Sequence, residues 1–257
     1  MGSNVKYNKK SKMLEIEYSF RDVEKPNLFR NFYPYTDIPK IVFNHRSVPM
    51  NIPEKLYITD TTFRDGQQAR SPYTVEQICQ IFDLLHQLDN GAGVIRQSEF
   101  FVYSNKDKEA VTKCMEKGYK YPQISSWIRA KKQDFEIVKS LGIKETGILV
   151  SCSDYHIFKK LNMNRSEAIK TYLGVVNDAL EAGVIPRCHL EDITRADFYG
   201  FVLPFVNKLM ELSRQANTPV KIRACDTLGL GVTIQGVALP RSVQQIIYGL
   251  VNYGEVP

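Results

Sequence analysis

From residue 56 onward, short apolar runs alternate with amphipathic stretches of helical period. The apolar runs predict strands that begin near Leu56, Val94, Tyr121, Glu145, Ile185 and Val220. The stretches between them predict helices over 74–88, 105–118, 132–142, 165–183, 199–216 and 240–254. Several of these end at a glycine, as helices commonly do (Gly118, Gly142, Gly183 and Gly254). Repeated strand–helix alternation predicts a parallel sheet covered by helices.

Two architectures contain such a sheet, an open doubly wound fold and a (β/α)8 barrel. The doubly wound dinucleotide fold carries G-x-G-x-x-G after its first strand, whereas this chain has "RDGQQAR". In a barrel the chemistry lies at the carboxyl ends of the strands, where this chain has its unusual polar residues. We therefore predict an α/β fold, with a catalytic (β/α)8 TIM barrel over 53–257. Residues 1–52 are predicted to form an irregular arm with one short hairpin near "MLEIEYSF".

The number of predicted units is smaller than a whole barrel requires. About 200 residues follow Leu56, whereas a complete eight-unit barrel takes about 250. We therefore expect the barrel to be truncated after about six βα units. We also expect the isolated chain to aggregate, because the first and sixth strands would have unpaired edges.

Composition is that of an ordinary soluble domain, with 43% apolar and 24% charged residues. The net charge of +6 is diffuse, and its one dense run, "KYNKKSK", is interpreted as a solvated tail and not a nucleic-acid arm. Five cysteines without a C-x-x-C pair favour a reduced compartment. Without a signal peptide or a long apolar run, the sequence predicts a cytoplasmic protein that binds neither membrane nor nucleic acid.

Polar residues follow the first predicted strand in "LYITDTTFRDGQQAR". Asp-Gly is a common turn dipeptide, so an ordinary surface turn is one interpretation of Asp65 and Gly66. The alternative is that the strand delivers Arg64 and Asp65 into a site, since a guanidinium stabilises developing negative charge and a carboxylate binds a hard cation.

Other predicted strands end in the same way. In "IPRCHLEDITR", Arg187, His189 and Glu191 share one face, so this is either an exposed edge strand or the wall of a polar pocket. "KIRACDTLGLG" delivers Asp226 and Thr227, which either face that pocket or cap the next helix. "LVSCSDYH" delivers Ser151, Ser153 and His156 at a further strand end, with helix capping again the alternative.

Taken together, "DTTFRDGQQ", "SSWIRA", "SCSDYH", "HLEDITRADF" and "ACDTLG" resemble the DRE-TIM metallolyases over about residues 56–257. Within that superfamily the chain is most similar to the 2-isopropylmalate, homocitrate and citramalate synthases of amino-acid biosynthesis. The resemblance implies a metal-dependent transferase that condenses acetyl-CoA with a 2-oxo acid. It also implies a divalent cofactor (Mg2+, Mn2+ or Zn2+) and a homodimer when the protein is full length.

The resemblance also implies roles for individual residues. Asp65 matches the acid that binds the metal, and Arg64 matches the arginine that stabilises the alkoxide or enolate. Glu191 is a catalytic candidate on the fifth strand. The other implied substrate contacts are Gln68, Arg187, His189 and Thr227.

Two departures from the family pattern leave alternatives open. None of the four histidines forms the H-x-H pair that completes the metal site in the family, so we expect the isolated chain to bind metal poorly and not to turn over. In "VIRQSEFF", Arg96 and Glu99 stand where many relatives have an acid and a small-residue turn. The alternatives are a lyase or carboxyltransferase of the same superfamily and a non-catalytic fragment.

Overall fold

The computed structural model of the chain describes residues 5–9, 13–16, 24–25, 41–43, 46–48, 54–68, 70–233, 237 and 239–257. Two compact units are present, Met1–Ile41 and Val42–Pro257. The predicted boundary after residue 52 falls outside the described residues and stays a prediction.

Four short strands precede the main sheet. Strands β1 (Val5–Asn8) and β2 (Met13–Ile16) pair antiparallel, with Val5 opposite Ile16. This confirms the hairpin at its "MLEI" part, while residues 17–20 lie outside the described ones. The interpretation of the basic run as a tail is wrong for residues 6–8, because they belong to β1. Strands β3 (Ile41–Phe43) and β4 (Arg46–Val48) form a second two-stranded sheet.

Six parallel strands form the main sheet. They are β5 (Ile58–Asp60), β6 (Ile95–Phe100), β7 (Gln123–Arg129), β8 (Glu145–Ser151), β9 (Ile185–Glu191) and β10 (Lys221–Ala224). Their order in the sheet is their order in the chain, so each new strand is added on the same side of the last one. A doubly wound sheet reverses its order at a switch point, and this sheet does not. The fold is therefore that of a partial (β/α)8 barrel, as predicted.

One helix follows each of the six strands. The helices are α1 (Val75–Asp89), α2 (Asn105–Glu116), α3 (Lys132–Ser140), α4 (Arg165–Glu181), α5 (Leu203–Ala216) and α6 (Val243–Asn252). Capping boxes at Thr74, Ser104 and Asn164 fix the starts of α1, α2 and α4. Gly118, Gly142 and Gly183 follow their helices with positive φ. Gly254 follows the last residue of α6 at the same spacing as Gly183 follows α4, but the positive φ there belongs to Glu255.

The two faces of the sheet differ in polarity. Outward-facing side chains such as Ile148, Val150 and Leu190 are fully buried against the helices and make up the core. The alternate residues carry charge, as in Glu99 and Glu145, and they face the inside of the curved sheet. Among the described residues, no helix has both the length and the apolarity to cross a membrane.

Candidate active site

The turn after β5 directs one arginine into the barrel. Phe63 is buried and stacks on Phe100, with 4.6 Å between the ring centroids, so the next side chain, Arg64, points the other way. Asp60 holds the start of the turn, since its carboxylate accepts hydrogen bonds from Thr62 Oγ1 at 2.6 Å and Ser98 Oγ at 2.6 Å. The segment is thus a tight turn, as the simpler interpretation expected, and it also delivers a guanidinium to the interior.

Arg64 bridges two acids. Its Nη2 lies 2.6 Å from Asp65 Oδ2, its Nε pairs with Glu99 Oε2, and its guanidinium carbon lies 5.4 Å from the centre of the Trp127 ring. Asp65 is 49% exposed, whereas Glu99 is fully buried. Arg64 is therefore fixed on three sides, which is the preorganisation that electrostatic stabilisation of a new oxyanion requires.

The two glutamines that follow have different environments. Gln67 is buried, where its Nε2 donates to Phe63 O at 2.7 Å and its Oε1 accepts from the Tyr73 N–H at 3.0 Å. Gln68, the predicted substrate contact, is exposed, and its backbone N–H donates to Asp65 O. Gln67 therefore supports the turn, while Gln68 leaves its side chain accessible beside Asp65.

Glu99 is the centre of a charged cluster inside the barrel. Besides Arg64, it has Arg223 Nη1 at 3.3 Å and His189 Nε2 at 3.7 Å from its Oε1. Burial raises the pKa of Glu99 above its ordinary value, because desolvation outweighs the attraction of Arg64, Arg223 and Arg187. We refer to Arg64, Glu99, His189 and Arg223 as the inner cluster.

His189 lies in a space that a glycine creates. A Cβ added at Gly147 would lie 2.8 Å from His189 Nε2, so only glycine leaves room for this imidazole on the neighbouring strand. Burial, followed by the positive charges of Arg223, Arg64 and Arg187, lowers the pKa of His189 to about 2. The imidazole is therefore neutral at physiological pH, and its buried Nε2 has no hydrogen-bond partner among the described residues.

Arg187 belongs to a separate group nearer the amino ends of the strands. Its Nη2 pairs with Glu145 Oε1 and donates to Gln97 Oε1, and Glu145 Oε2 also lies 2.6 Å from Lys221 Nζ. Four residues of strand, about 13 Å, separate Arg187 from Glu191. The structure therefore does not bring Arg187 together with the strand ends, although it shares their face of β9 as predicted.

Glu191 lies at the carboxyl end of β9. Its Oε2 accepts from Ser151 Oγ and lies 3.0 Å from His156 Nδ1, and both carboxylate oxygens accept from Lys160 Nζ at 2.9 and 3.0 Å. Burial opposes the charge of Glu191, but the hydrogen bonds from Ser151 and Lys160 outweigh it and lower the pKa of Glu191. The carboxylate is therefore ionised at neutral pH.

Asp192, the next residue, ties three strand ends together. It adopts left-handed backbone angles, with φ of 63°, although it is fully buried. Its N–H donates to Thr227 Oγ1 at 2.8 Å, and its carboxylate accepts from Ser153 Oγ and, at 2.6 Å, from Arg195 Nη2. Such strain persists only where surrounding contacts over-determine the conformation. Thr227 is exposed, so its hydroxyl is positioned by Asp192 at the mouth of the barrel.

Of the residues for which helix capping was the alternative, Ser153 makes a capping contact and Asp226 does not. Asp226 accepts backbone N–H groups of Leu230 at 2.9 Å and Gly231 at 2.7 Å, so it stabilises its own turn and not a helix. Ser153 Oγ accepts from the His156 N–H at 3.3 Å, which is a capping contact, and donates to Asp192 as well.

The described residues do not by themselves make up a metal site. No group of three or more His, Cys, Asp or Glu side chains among them converges as a metal ion would require. Asp65 offers one carboxylate at the barrel mouth, and that carboxylate pairs with Arg64. The role of Asp65 as a metal ligand stays a prediction.

Sequence reasoning missed several residues of the site. Glu99 appeared only as a departure from a family pattern, although an acid within the apolar run "SEFF" is itself a signal. Arg223 carried a similar signal, as a cation inside a predicted strand. Lys160 carried none, because the irregular turn over 155–160, which brings it to Glu191, has no sequence signature.

These features define the chain as a partial TIM-barrel protein with paired charges at the carboxyl ends of its strands. The model of the HMGL-like family matches residues 55–253, which is more than half of the chain. The chain therefore belongs to the HMGL-like family, and the resemblance to the DRE-TIM metallolyases is confirmed.

Individual relatives are consistent with this assignment. A citrate (Re)-synthase of Clostridium kluyveri is 59% identical over 246 residues, which cover 96% of this chain and 54% of that protein. A citrate (Re)-synthase of Syntrophus aciditrophicus is 50% identical over 258 residues, covering 98% of this chain and 41% of that protein. The chain thus spans about half the length of these curated relatives.

Solved structures agree on the fold. The crystal structure of hydroxymethylglutaryl-CoA lyase from Pseudomonas aeruginosa superposes with a TM-score of 0.57 at 17% identity. The match covers 79% of this chain and 66% of that chain. At this identity the likeness supports the barrel fold alone.

Proposed function

We propose that this chain carries the catalytic barrel of a synthase that condenses acetyl-CoA with a 2-oxo acid and releases CoA. The finer part of the proposal is that the 2-oxo acid is oxaloacetate and the product citrate. The support for that choice is the name citrate (Re)-synthase of two relatives that are 59% and 50% identical to the chain.

One observation carries the proposal. A guanidinium held on three sides, Arg64, and a carboxylate kept ionised by its partners, Glu191, belong to the carboxyl ends of strands in the same parallel sheet. A Claisen condensation needs both groups, a base to take a proton from the acetyl methyl group and a fixed positive charge beside the oxygen that becomes negative.

The proposed steps use these side chains in turn. Glu191 accepts the methyl proton of acetyl-CoA, and the resulting carbon nucleophile forms a bond to C2 of the 2-oxo acid. The carbonyl oxygen at C2 gains the electron pair beside Arg64 and is then protonated to a hydroxyl. Water finally cleaves the thioester, which releases the carboxylic acid and CoA.

Other predicted residues keep their expected roles as proposals. Thr227 is a contact for the carboxylate next to the keto group, and Gln68 lies beside Asp65, which would bind a divalent ion. His189 is a proposed substrate contact in the inner cluster. Arg187 is a weaker candidate, because Glu145 and Gln97 already occupy its guanidinium. A homodimer and a cytoplasmic location also stay predictions.

The test measures release of free CoA from acetyl-CoA with pyruvate, 2-oxoisovalerate, 2-oxoglutarate and oxaloacetate, in the presence of Mg2+ or Mn2+. Because the chain spans about half the length of its relatives, the assay uses two proteins. One is the chain itself, and the other is a chimera in which the chain replaces the matched segment of the Clostridium kluyveri protein. We expect the chimera to release CoA with oxaloacetate and to form citrate. A folded chimera that releases no CoA with any of the four acids would contradict the proposal.

A further inference from the structure

Arg223 is a guanidinium in the inner cluster that retains free donors. It lies on β10 directly opposite His189 of β9, and its side chain is 27% exposed. Only its Nη1 has a partner among the described residues, Glu99 Oε1 at 3.3 Å. Arg64 makes the shorter contact to the same carboxylate, so Glu99 leaves Arg223 incompletely neutralised.

A second group beside Arg223 is also without a partner. His189 is 3% exposed, and its Nε2 makes no hydrogen bond within the described part of the chain. A buried ring nitrogen without a partner costs free energy unless a ligand or water satisfies it. Because the imidazole is neutral, it adds no charge and offers a hydrogen-bonding nitrogen beside the guanidinium.

Two other arginines of the interior, Arg187 and Arg64, have acidic partners that already occupy their guanidiniums. Arg187 is bound by Glu145 and Gln97, and Arg64 is bound by Asp65 and Glu99. Positive charge nevertheless dominates around His189, since three guanidiniums lower its pKa in addition to burial. An anion placed between Arg223 and His189 would therefore meet an attractive field, and Glu99 is the acid that the described residues place against both groups.

We propose that Arg223 and His189 form the subsite for the second carboxylate of a 2-oxo dicarboxylic acid. The free edge of the guanidinium offers two donors in the fork geometry that a carboxylate accepts, and the imidazole nitrogen supplies a third contact. The inference rests on the proposed function, because it explains how the barrel selects a dicarboxylate. It makes Arg223 the residue that determines specificity for the charge of the substrate.

The test compares two ligands that differ only at the position of the second carboxylate. Oxaloacetate has a carboxylate where 2-oxobutyrate has a methyl group, so their affinities separate the charge from the rest of the substrate. Binding is measured by calorimetry on the chain and on the chimera, with Arg223→Met, Arg223→Lys and the control Arg214→Met. Arg214 is an exposed arginine of α5 paired with Glu255.

We expect the unmodified protein to bind oxaloacetate more tightly than 2-oxobutyrate. Arg223→Met should weaken oxaloacetate binding about tenfold or more, the factor expected for a lost charge-assisted hydrogen bond. The same variant should change the affinity for 2-oxobutyrate by no more than about twofold. Arg223→Lys should recover part of the lost affinity for oxaloacetate. Arg214→Met should change neither affinity. Melting temperatures of all variants are recorded, and the lysine variant carries the test if the methionine variant does not fold.

Two results would overturn the subsite. One is equal affinity of the unmodified protein for the two acids, and the other is an Arg223→Met variant that loses both ligands by the same factor or neither. The proposed function can be refuted independently of the subsite. If the dicarboxylate binds selectively through Arg223 but the chimera releases no CoA, the subsite stands and the condensation does not.

Discussion

Glu99 and Glu191 are both glutamates on the inner face of the sheet, yet the protein shifts their pKa values in opposite directions. Burial raises the pKa of Glu99 although three arginines lie around it. Glu191 is also desolvated, but the hydrogen bonds from Ser151 and Lys160 lower its pKa. Glu99 is fully buried, whereas Glu191 is 13% exposed at the mouth of the barrel.

Desolvation is the largest influence on both pKa values, and it prevails at the fully buried Glu99, whereas hydrogen bonds prevail at the partly exposed Glu191. Both oxygens of Glu191 accept from an ammonium at 3.0 Å or less, and a hydroxyl adds another bond. The arginines near Glu99 are shared, since Arg64 also pairs with Asp65 and Arg223 approaches only to 3.3 Å. Glu191 is therefore ionised and carries no proton of its own at neutral pH, whereas Glu99 holds two guanidiniums in position.

The largest effect is expected at Glu191. In the chimera, Glu191→Gln should lower the rate of CoA release at least 100-fold, because an amide cannot accept a proton and general-base catalysis contributes about 10²–10⁴. Glu181→Gln, at the exposed end of α4, is the control and should leave the rate unchanged. If Glu191→Gln stays within threefold of the unmodified rate, Glu191 is not the base.

The next effect concerns the guanidinium that Glu99 holds. Arg64→Lys keeps the charge but loses the planar fork that contacts Glu99 and Asp65 together, so we expect CoA release to fall about 10²-fold. Arg70→Lys is a matched control on the same loop, where Arg70 is exposed and contacts Tyr73. Equal rates in Arg64→Lys and the unmodified chimera would remove Arg64 from the mechanism.

A smaller effect, a loss of stability, is expected from filling the space beside the inner cluster. Gly147→Ala places a Cβ 2.8 Å from His189 Nε2, and overpacking of this kind costs about 1–3 kcal/mol of stability. Gly174→Ala in α4 is the control, because its Cβ would meet nothing within 4 Å and alanine favours helix by about 0.5–1 kcal/mol. Chemical denaturation of the chimera measures the change in the free energy of unfolding for both variants. A change of the same sign in the two would contradict the tight fit of His189.

The smallest effect is the dependence of stability on pH. Glu191 has a lowered pKa, so it stabilises the fold above the ordinary pKa of about 4.3 and loses that contribution as the pH falls. Glu99 has a raised pKa, so its ionisation costs stability as the pH rises above the same value. The stability gap between the unmodified chain and Glu191→Gln should therefore widen as the pH rises from 3 to 7, and the gap for Glu99→Gln should narrow. Parallel curves would show that the two glutamates are equivalent.

Much of the fold was predictable, because strands and helices have local periodicities. The strand starts at Glu145 and Ile185 agree with the structure, and the other four lie within two residues. The helix over 199–216 is the less accurate case. Residues 198–202 form a π-helical turn, and the α-helix begins only at Leu203, with Pro204 in its first turn. Proline lacks the N–H for a continuous ladder, and the sequence does not reveal which irregular turn replaces it.

The candidate site was predictable only in part. The alternation of side chains along β9 correctly put Arg187, His189 and Glu191 on one face. The same rule does not show which side chains meet across neighbouring strands, so it grouped Arg187 with Glu191, although Arg187 pairs with Glu145 of β8 and lies four residues, about 13 Å, before Glu191 along β9.

The sequence by itself determined the parallel strand–helix alternation, the charged face of β9 and the turn that carries Arg64 and Asp65, since each depends on neighbours within a few residues. Only the tertiary structure decided which charges meet. Glu99 contacts Arg64 of β5's turn and Arg223 of β10, residues up to 124 positions away in the chain. Burial and the alignment of strands set these contacts, and through them the opposite pKa shifts of Glu99 and Glu191 and the unpaired donors of Arg223 and His189. No local pattern encodes them, because the energy of a buried charge depends on every group that the fold brings around it.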